Sequence, residues 1–310
     1  MKHPLIGIVV LNWNGWQDTC ECLKSLAALQ YPNTAVVLVD NGSTDHSPEE
    51  MMACLRPEVA FIAAGINRGF SAGNNLGISY LMERGAEYIL LLNNDTVVAP
   101  DLLDAFLKVA AAEPQAGALA AKIYYYDSPD VFWFAGAKSP TPWMAPMHIG
   151  QGEQDRGQYD QVSAISSVNG CAFFVRTAMI RQIGPLDERY FLKYEDVDWS
   201  LRIQAGGWQT LFVPGARVWH KVSRASGGVT PLWWYFDERS RLLWQKLHFP
   251  ELSWSARYGR LLREIWLELY TGQWKKWRIW LARLWGVIDF WRGCTGNCPP
   301  MLIRLSWINK

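Results

Sequence analysis

Short apolar runs alternating with stretches of helical spacing set the rhythm of the first hundred residues. Pro4 to Leu11 is rich in Ile, Val and Leu with little alternation, which predicts a strand buried on both faces of a parallel sheet. Helical spacing follows over Asp18 to Leu29, a second strand over Thr34 to Val39, and a helix over Pro48 to Leu55. Val59 to Ala64 predicts the third strand and Asn75 to Arg84 the next helix. Then comes Tyr88-Ile-Leu-Leu-Leu-Asn-Asn-Asp-Thr-Val-Val98, an apolar run that ends abruptly in three side chains carrying oxygen. Strands alternating with helices predict an α/β fold with a mostly parallel sheet and right-handed crossovers.

Polar loops fall directly after these strands, at Asn12 to Gly15, Asp40 to Asp45 and Asn93 to Thr96. Ligands of open α/β sheets bind outside the carboxyl ends of the strands, so Asp95 is a candidate functional carboxylate. The plainer alternative is that Asp95 caps a helix starting near Pro100. A fourth loop, Asn67-Arg-Gly-Phe-Ser-Ala-Gly-Asn-Asn75, precedes a helix; its glycines and the helix start suit the phosphates of a nucleotide. The loop is neither a dinucleotide fingerprint nor a P-loop, because G-x-G-x-x-G is missing from the first turn and G-x-x-x-x-G-K-[ST] from the chain.

From Tyr124 to Gln161 the pattern loosens, with Pro140, Pro142 and Pro146 close together, which predicts a long loop region over the site. Val168 to Val175 predicts a strand and Thr177 to Ile183 a helix. Glu195, Asp196 and Asp198 crowd the start of a helix running to about Ala205. Helix-dipole complementation accounts best for Asp198 and less well for Asp196, which has Tyr190, Phe191 and Tyr194 around it in sequence. Thr210 to Val213 and Arg217 to Trp219 predict closing strands, with His220 at the end of the second.

Composition divides the chain. Met1 to Thr230 carries 17 basic and 23 acidic residues, whereas Pro231 to Lys310 carries 13 and 6 and holds 11 of the 18 tryptophans. The expectation is a catalytic body over residues 1–230 and a basic, Trp-rich helical appendage over residues 231–310. Within the appendage, Ser255 to Tyr270 and Gln273 to Trp291 predict two helices broken at Gly272. On the second, Trp277, Trp280, Leu281, Leu284, Ile288 and Trp291 share one broad face, with Lys275, Lys276, Arg278 and Arg283 elsewhere. That pattern suits a helix lying in a membrane interface; packing on the body or on a second subunit, as in a homodimer, is the alternative. No run is long and uncharged enough to cross a membrane, and the acidic body argues against nucleic acid. No signal-peptide pattern opens the chain, so a cytoplasmic protein is expected, peripheral on the cytoplasmic face of the membrane. The six cysteines are expected as reduced thiols, since neither Cys20-Glu-Cys22 nor Cys294-Thr-Gly-Asn-Cys298 has a second pair at zinc-site spacing.

Taken together, Val39-Asp-Asn-Gly-Ser-Thr-Asp45, Asn67 to Asn75, Leu92-Asn-Asn-Asp-Thr-Val97, Leu186-Asp-Glu-Arg-Tyr-Phe191 with Tyr194-Glu-Asp-Val-Asp198, and His220 resemble family 2 glycosyltransferases of the GT-A fold. Within them the chain is most similar to the rhamnosyltransferase-like branch. The resemblance spans roughly Leu5 to Gly228. It implies a nucleotide pocket containing Asn12, Asp40, Asn41, Asn67, Arg68, Gly69, Asn74 and Asn94, with Asp40 on the base. It implies a divalent ion, Mg2+ or Mn2+, at Asp95 with His220 nearby, and Asp196 as catalytic base. Asn93 stands where the commonest metal motif has a second aspartate, so weak metal affinity in the free enzyme is expected.

The activity implied is inverting transfer from a nucleotide-diphosphate donor, dTDP-rhamnose or a UDP-sugar, to a glycan or lipid-linked acceptor, as in cell-surface polysaccharide biosynthesis. One carboxylate and one metal suffice for a single displacement, whereas a hydrolase typically needs two carboxylates at fixed separation. A nucleotidyltransferase and a non-catalytic sugar-nucleotide-binding protein are the competing readings.

Overall fold

The computed structural model describes residues 3–138, 141, 146–222, 230–271 and 277–302. The predicted alternation is realised as β1 (Ile6–Asn12), α1 (Trp16–Leu26), β2 (Thr34–Asp40), α2 (Ser47–Cys54), β3 (Ala60–Ala63), α3 (Gly69–Glu83) and β4 (Tyr88–Asn93). Next come β5 (Thr96–Val98), α4 (Leu102–Ala112), β6 (Ala116–Tyr125), β7 (Ser128–Phe134), β8 (Ser163–Ala164), β9 (Ala172–Arg176), α5 (Thr177–Ile183), α6 (Glu195–Ala205) and β10 (Gln209–His220). The strands form one sheet in the order β3-β2-β1-β4-β9-β6-β10-β5, with β7 on β6 and β8 on β10. Pairing is parallel among β3, β2, β1 and β4 and between β6 and β10; β9 runs antiparallel between β4 and β6.

β1 and β4 are buried almost throughout, because helices cover both faces of the parallel half. Helix α3 lies on β1 at very close range: a Cβ on Gly77 would sit 2.5 Å from the Val9 side chain.

The structure departs from several expectations. Helix α3 starts at Gly69, so most of the predicted Asn67 to Asn75 loop is its first two turns. Gly69, at φ +84°, permits this start; a Cβ there would lie 2.4 Å from the Phe191 carbonyl oxygen, which accepts from the Phe70 amide. The region after Tyr124 does line the cavity of the candidate site, through Trp133, Phe134, Ala137, Pro146 and His148, but it contains a strand, β7, that pairs with β6 as an arm, and buried Lys122 holds Asp155 at 3.1 Å and Asp160 at 2.5 Å. Pro140 and Pro142 lie outside the described residues. The two closing strands are one, β10, carrying an irregularity between Val213 and Arg217. Residues 168–171 precede β9 as a loop. Cys20 and Cys54 form a disulfide, 34 residues apart but 5.9 Å between Cα atoms, because α1 and α2 pack together. Only the fold reveals that meeting of two distant helices. Cys22, Cys171, Cys294 and Cys298 are free.

Past Thr230, whose hydroxyl accepts from the Trp233 amide, three helices follow: α7 (Pro231–His248), α8 (Trp254–Tyr270) and α9 (Trp277–Arg292). Pro231 suits the first turn of α7, where its missing N–H has no helical partner to lose. Helix α7 packs on the body: Phe236 stacks on Phe191 at 4.9 Å, Trp244 meets Tyr194 at 5.5 Å, and Ser240 donates to the Leu192 carbonyl. Gly272, Lys275 and Lys276 lie outside the described residues.

Helix α9 turns a small, polar face to α7, burying Ala282, Arg283, Gly286 and Asp289. Arg283, expected on a solvated cationic face, is instead buried, 3.0 Å from Glu238 and also paired with Glu264, because Glu238 needs counter-charges. Arg241 pairs with the same Glu238. Removing one member of such a buried network strands the others, at a cost of about 3–5 kcal/mol. Glu238→Ala should therefore lower unfolding free energy by about that amount in urea titrations; a loss under about 1 kcal/mol would show that the arginines are solvated.

Candidate active site

Parallel register aligns the carboxyl ends of three strands: Asn12 faces Asp40 across β1 and β2, and Leu11 faces Asn93 across β1 and β4. Asn12 is wholly buried and ties together the segments beyond those ends. Its amide donates to Asp40 Oδ1 at 3.0 Å and Ser43 Oγ at 3.1 Å. Its carbonyl oxygen accepts from Thr19 Oγ1 at 2.8 Å and Asn94 Nδ2 at 3.2 Å. Asp40 also accepts from the Ser43 hydroxyl and amide.

The Asn41 amide spans the next gap, donating to Asn67 Oδ1 and the Gly69 carbonyl while accepting from the Arg68 amide. Asn67 Oδ1 also accepts from the Gly69 amide, Asn74 donates to the Phe70 carbonyl, and the Arg68 side chain is exposed. Asn94 donates to Gly15 and Thr19 as well as Asn12. Asn12, Asp40, Asn41, Asn67, Arg68, Gly69 and Asn94 thus form one connected rim at the sheet edge, much of whose hydrogen-bonding capacity is already spent within it.

Asp95 does not cap α4; it is buried and lies 3.1 Å from His220 Nε2. The antiparallel pairing of β5 with β10 sets this meeting by placing His220 opposite Thr96, and the Lys221 amide donates to the Asp95 carbonyl. Trp133 packs edge-on against the imidazole at 4.6 Å, and His220 Nδ1 is buried without a hydrogen-bond partner. Burial alone would lower the imidazole; contacts with Cys171 and Asp95 more than reverse this and hold His220 above the usual range. Asp95 is the responsible partner, because burial keeps Cys171 a neutral thiol. Among the described residues, no cluster of three or more His, Cys, Asp or Glu side chains surrounds a cation position.

A turn absent from the sequence-based site links this pair to the helix of acids. The Cys171 carbonyl accepts from the Asn93 amide at 2.9 Å, and the Gly170 amide donates to Asp196 Oδ2 at 3.0 Å. The turn is held by Asn169, whose Oδ1 accepts from the Cys171 amide and whose Nδ2 lies 3.2 Å from His148 Nε2. Burial pushes His148 down, which suits a neutral ring accepting from Asn169 and donating through Nδ1 to the Trp133 carbonyl at 3.3 Å. Its sequence signal is Asn169-Gly170, an ordinary turn dipeptide at the front of an apolar run that predicts a strand.

The three acids of α6 have different surroundings. Asp198 is consumed by Arg202 at 2.8 Å and His248 at 2.8 Å. Glu195 is buried with Oε2 unpartnered; burial, then the Asp196 carboxylate, push its acid up to about 8. Asp196 is half-buried on a cavity of about 460 Å3, whose walls include Trp133, His148, Lys193, Trp233 and Asp237. Lys193 and Tyr194, at φ +74° and +67°, are consecutive left-handed residues immediately before the acids. Strain of about 1–3 kcal/mol per such residue has to be offset by packing, here Tyr194 against Trp244 and the Lys193 ammonium 4.1 Å over Trp233. Helix α7, which composition assigns only to the appendage, therefore walls the cavity.

Residues 7–181, more than half of the chain, match the family described as Glycosyl transferase family 2. The chain belongs to that family. It is a glycosyltransferase with the GT-A fold. It is 29% identical over 226 residues to the N-acetylglucosaminyl-diphospho-decaprenol L-rhamnosyltransferase of Mycobacterium tuberculosis, covering 66% of this chain and 72% of that protein. It is 24% identical over 244 residues to the dTDP-rhamnosyl transferase RfbF of Shigella flexneri, covering 74% and 78%. Among solved structures, it superimposes on the mannosyltransferase PcManGT of Pyrobaculum calidifontis in complex with GDP-Man and Mn2+ with a TM-score of 0.58 at 15% identity, covering 94% and 88%. GalNAc-T7 with UDP, GalNAc and Mn2+ gives 0.59 at 16% identity, covering 70% and 44%.

The Glu195 environment predicts a pH effect. With its folded value raised from 4.5 to about 8, Glu195 contributes stability that is full below pH 4.5 and is lost as pH rises towards 8. Glu195→Gln has no proton to lose, so denaturant titrations should show the variant gaining on wild type across that window. Parallel pH profiles would mean that Glu195 is ionised in the folded protein.

Proposed function

We propose that this glycosyltransferase moves rhamnose from dTDP-rhamnose, or a hexose from a UDP-sugar, with inversion onto a hydroxyl of a glycan or lipid-linked acceptor. The observation that carries the reading is the turn at residues 169–171, which bonds both to the Asn93 amide, two residues before Asp95 and its partner His220, and to the Asp196 carboxylate. Support for the donor and acceptor classes comes from the two rhamnosyltransferase relatives, one of which is named for a diphospho-decaprenol acceptor.

The residues fit a divalent ion. A buried carboxylate oxygen and an imidazole nitrogen lie 3.1 Å apart, and once the ion displaces the proton they share, this oxygen-plus-nitrogen set suits Mn2+ better than Mg2+, whose ligands are oxygens, with phosphate and water completing the shell. Asp95 and His220 would hold the ion, which when bound neutralises charge developing on the diphosphate leaving group. Asp40, fixed by Asn12 and Ser43, reads the nucleotide base, and the Asn67 to Asn75 segment lines the nucleotide pocket. The acceptor occupies the cavity beside Asp196. Its hydroxyl oxygen forms the new bond at the anomeric carbon as the bond to the nucleoside diphosphate breaks, and Asp196 takes the proton. Asp196 suits this better than its neighbours, because Asp198 is paired and Glu195 is held as a neutral acid.

Release of nucleoside diphosphate from dTDP-rhamnose and UDP-sugars, measured with diphosphate-lipid acceptors, tests the activity. Asp196→Asn should lower kcat by about 10²–10⁴ with donor KM nearly unchanged. Wild-type turnover in Asp196→Asn together with loss in Glu195→Gln would move the base to Glu195.

A further inference from the structure

The packing of the appendage leaves an unexpected face outward. Helices α8 and α9 lie antiparallel, since Tyr258 meets Trp291 and Glu264 meets Arg283. Helix α9 gives its small and polar side to α7, so its bulky side faces away: Trp277, Leu284, Ile288 and Trp291 are exposed, the last by 66%. Helix α8, packed beside α9, also exposes Trp254, Leu262, Trp266, Leu267 and Tyr270, of which Trp266 is 60% and Tyr270 78% exposed. Exposed apolar area of this extent on adjacent helices marks an interaction surface.

Charge identifies the occupant. Glu238, Glu264 and Asp289 are directed inward, onto Arg241, Arg283 and the Tyr235–Arg239 pair. Half of the six acids after Thr230 are thereby taken up; Arg263 on α8 and Arg292 on α9 are exposed, as are Lys246 on α7 and Glu251 before α8. Arg263 stands one turn from Trp266 and Leu267, and Arg292 beside Trp291. Indole rings interleaved with guanidinium groups match the headgroup level of an anionic bilayer. A two-fold contact with a second copy through these helices would bring Arg263 and Arg292 against the same arginines of the other copy, which charge complementarity disfavours.

We infer that the outer face of α8 and α9 is a docking surface for an anionic lipid bilayer, with Trp266 and Trp291 as apolar anchors and Arg263 and Arg292 as headgroup contacts. The surface agrees with a lipid-linked acceptor but stands without it, since binding to lipid requires neither donor nor acceptor. No described helix is long and apolar enough to span the bilayer.

Flotation of the full chain with phosphatidylcholine vesicles, with and without phosphatidylglycerol, tests the inference. Wild type should float with the anionic vesicles and far less with the neutral ones. Trp266→Ser with Trp291→Ser, and separately Arg263→Glu with Arg292→Glu, should each reduce partitioning at least about tenfold; Trp291 also packs on Tyr258, so the charge-reversed pair, which leaves that contact in place, is the control for folding. The charge-reversed pair keeps the apolar area intact, so it reads the electrostatic contribution by itself. Failure of wild type to float, equal flotation of the variants, or a concentration-dependent dimer abolished by the Trp pair without any vesicle binding would each overturn the inference. These readouts are independent of transfer activity, so an incorrect donor or acceptor leaves them standing.

Discussion

Asn12 is the point on which the site depends. A buried primary amide has to satisfy both its donors and its acceptor inside the protein, and leaving one unmade costs about 1–3 kcal/mol. Asn12 does so by bonding to Asp40 and Ser43 after β2, Thr19 on α1 and Asn94 after β4. The ends of three parallel strands are thereby fixed relative to one another by one side chain. Asn94, held there, leads directly into Asp95, so the position of the Asp95 carboxylate depends on a hydrogen-bond network anchored at Asn12.

A second constraint connects the two halves of the site. Asn93, at the end of β4, donates to Cys171, while Gly170 donates to Asp196. The same turn is braced from behind by Asn169, His148 and the Trp133 carbonyl. Across the crevice, the left-handed Lys193 and Tyr194 aim the start of α6, and α7 holds them there through Trp233, Ser240 and Trp244. The helical appendage is thus structural support for the acid cluster as well as a surface of its own, which explains why its core carries a charge network tied so tightly to α7.

Sequence pattern shows most of the first half of this arrangement. Apolar runs ending in Asn, Asp and Ser locate the strand ends, because parallel strands buried on both faces are continuous and their polar ends are abrupt. The Asp95–His220 meeting is legible only through family resemblance, since it arises from β5 pairing with the far end of β10 across more than a hundred residues. The 169–171 turn escapes local pattern because its bracing comes from His148 and Trp133 on a distant arm. The extent of α3 is hidden because Gly69, which has the look of a ligand-approach glycine, is needed for the Phe191 backbone. Arg283 is misplaced by periodicity, which shows which residues share a helix face but not which face is buried. The Cys20–Cys54 link depends on two helices meeting, which no local spacing reveals.

The proposed activity stands or falls on a nucleoside diphosphate binding at these strand ends through a divalent ion on Asp95 and His220. Calorimetric titration of dTDP and of UDP into the protein, with Mn2+ and then with EDTA, measures it directly. At least one nucleotide should bind in Mn2+ and lose about tenfold or more in affinity on chelation and in Asp95→Ala alike, because both remove the same charge-assisted contact. Affinity that is equal in Mn2+, in EDTA and in a folded Asp95→Ala variant would contradict it.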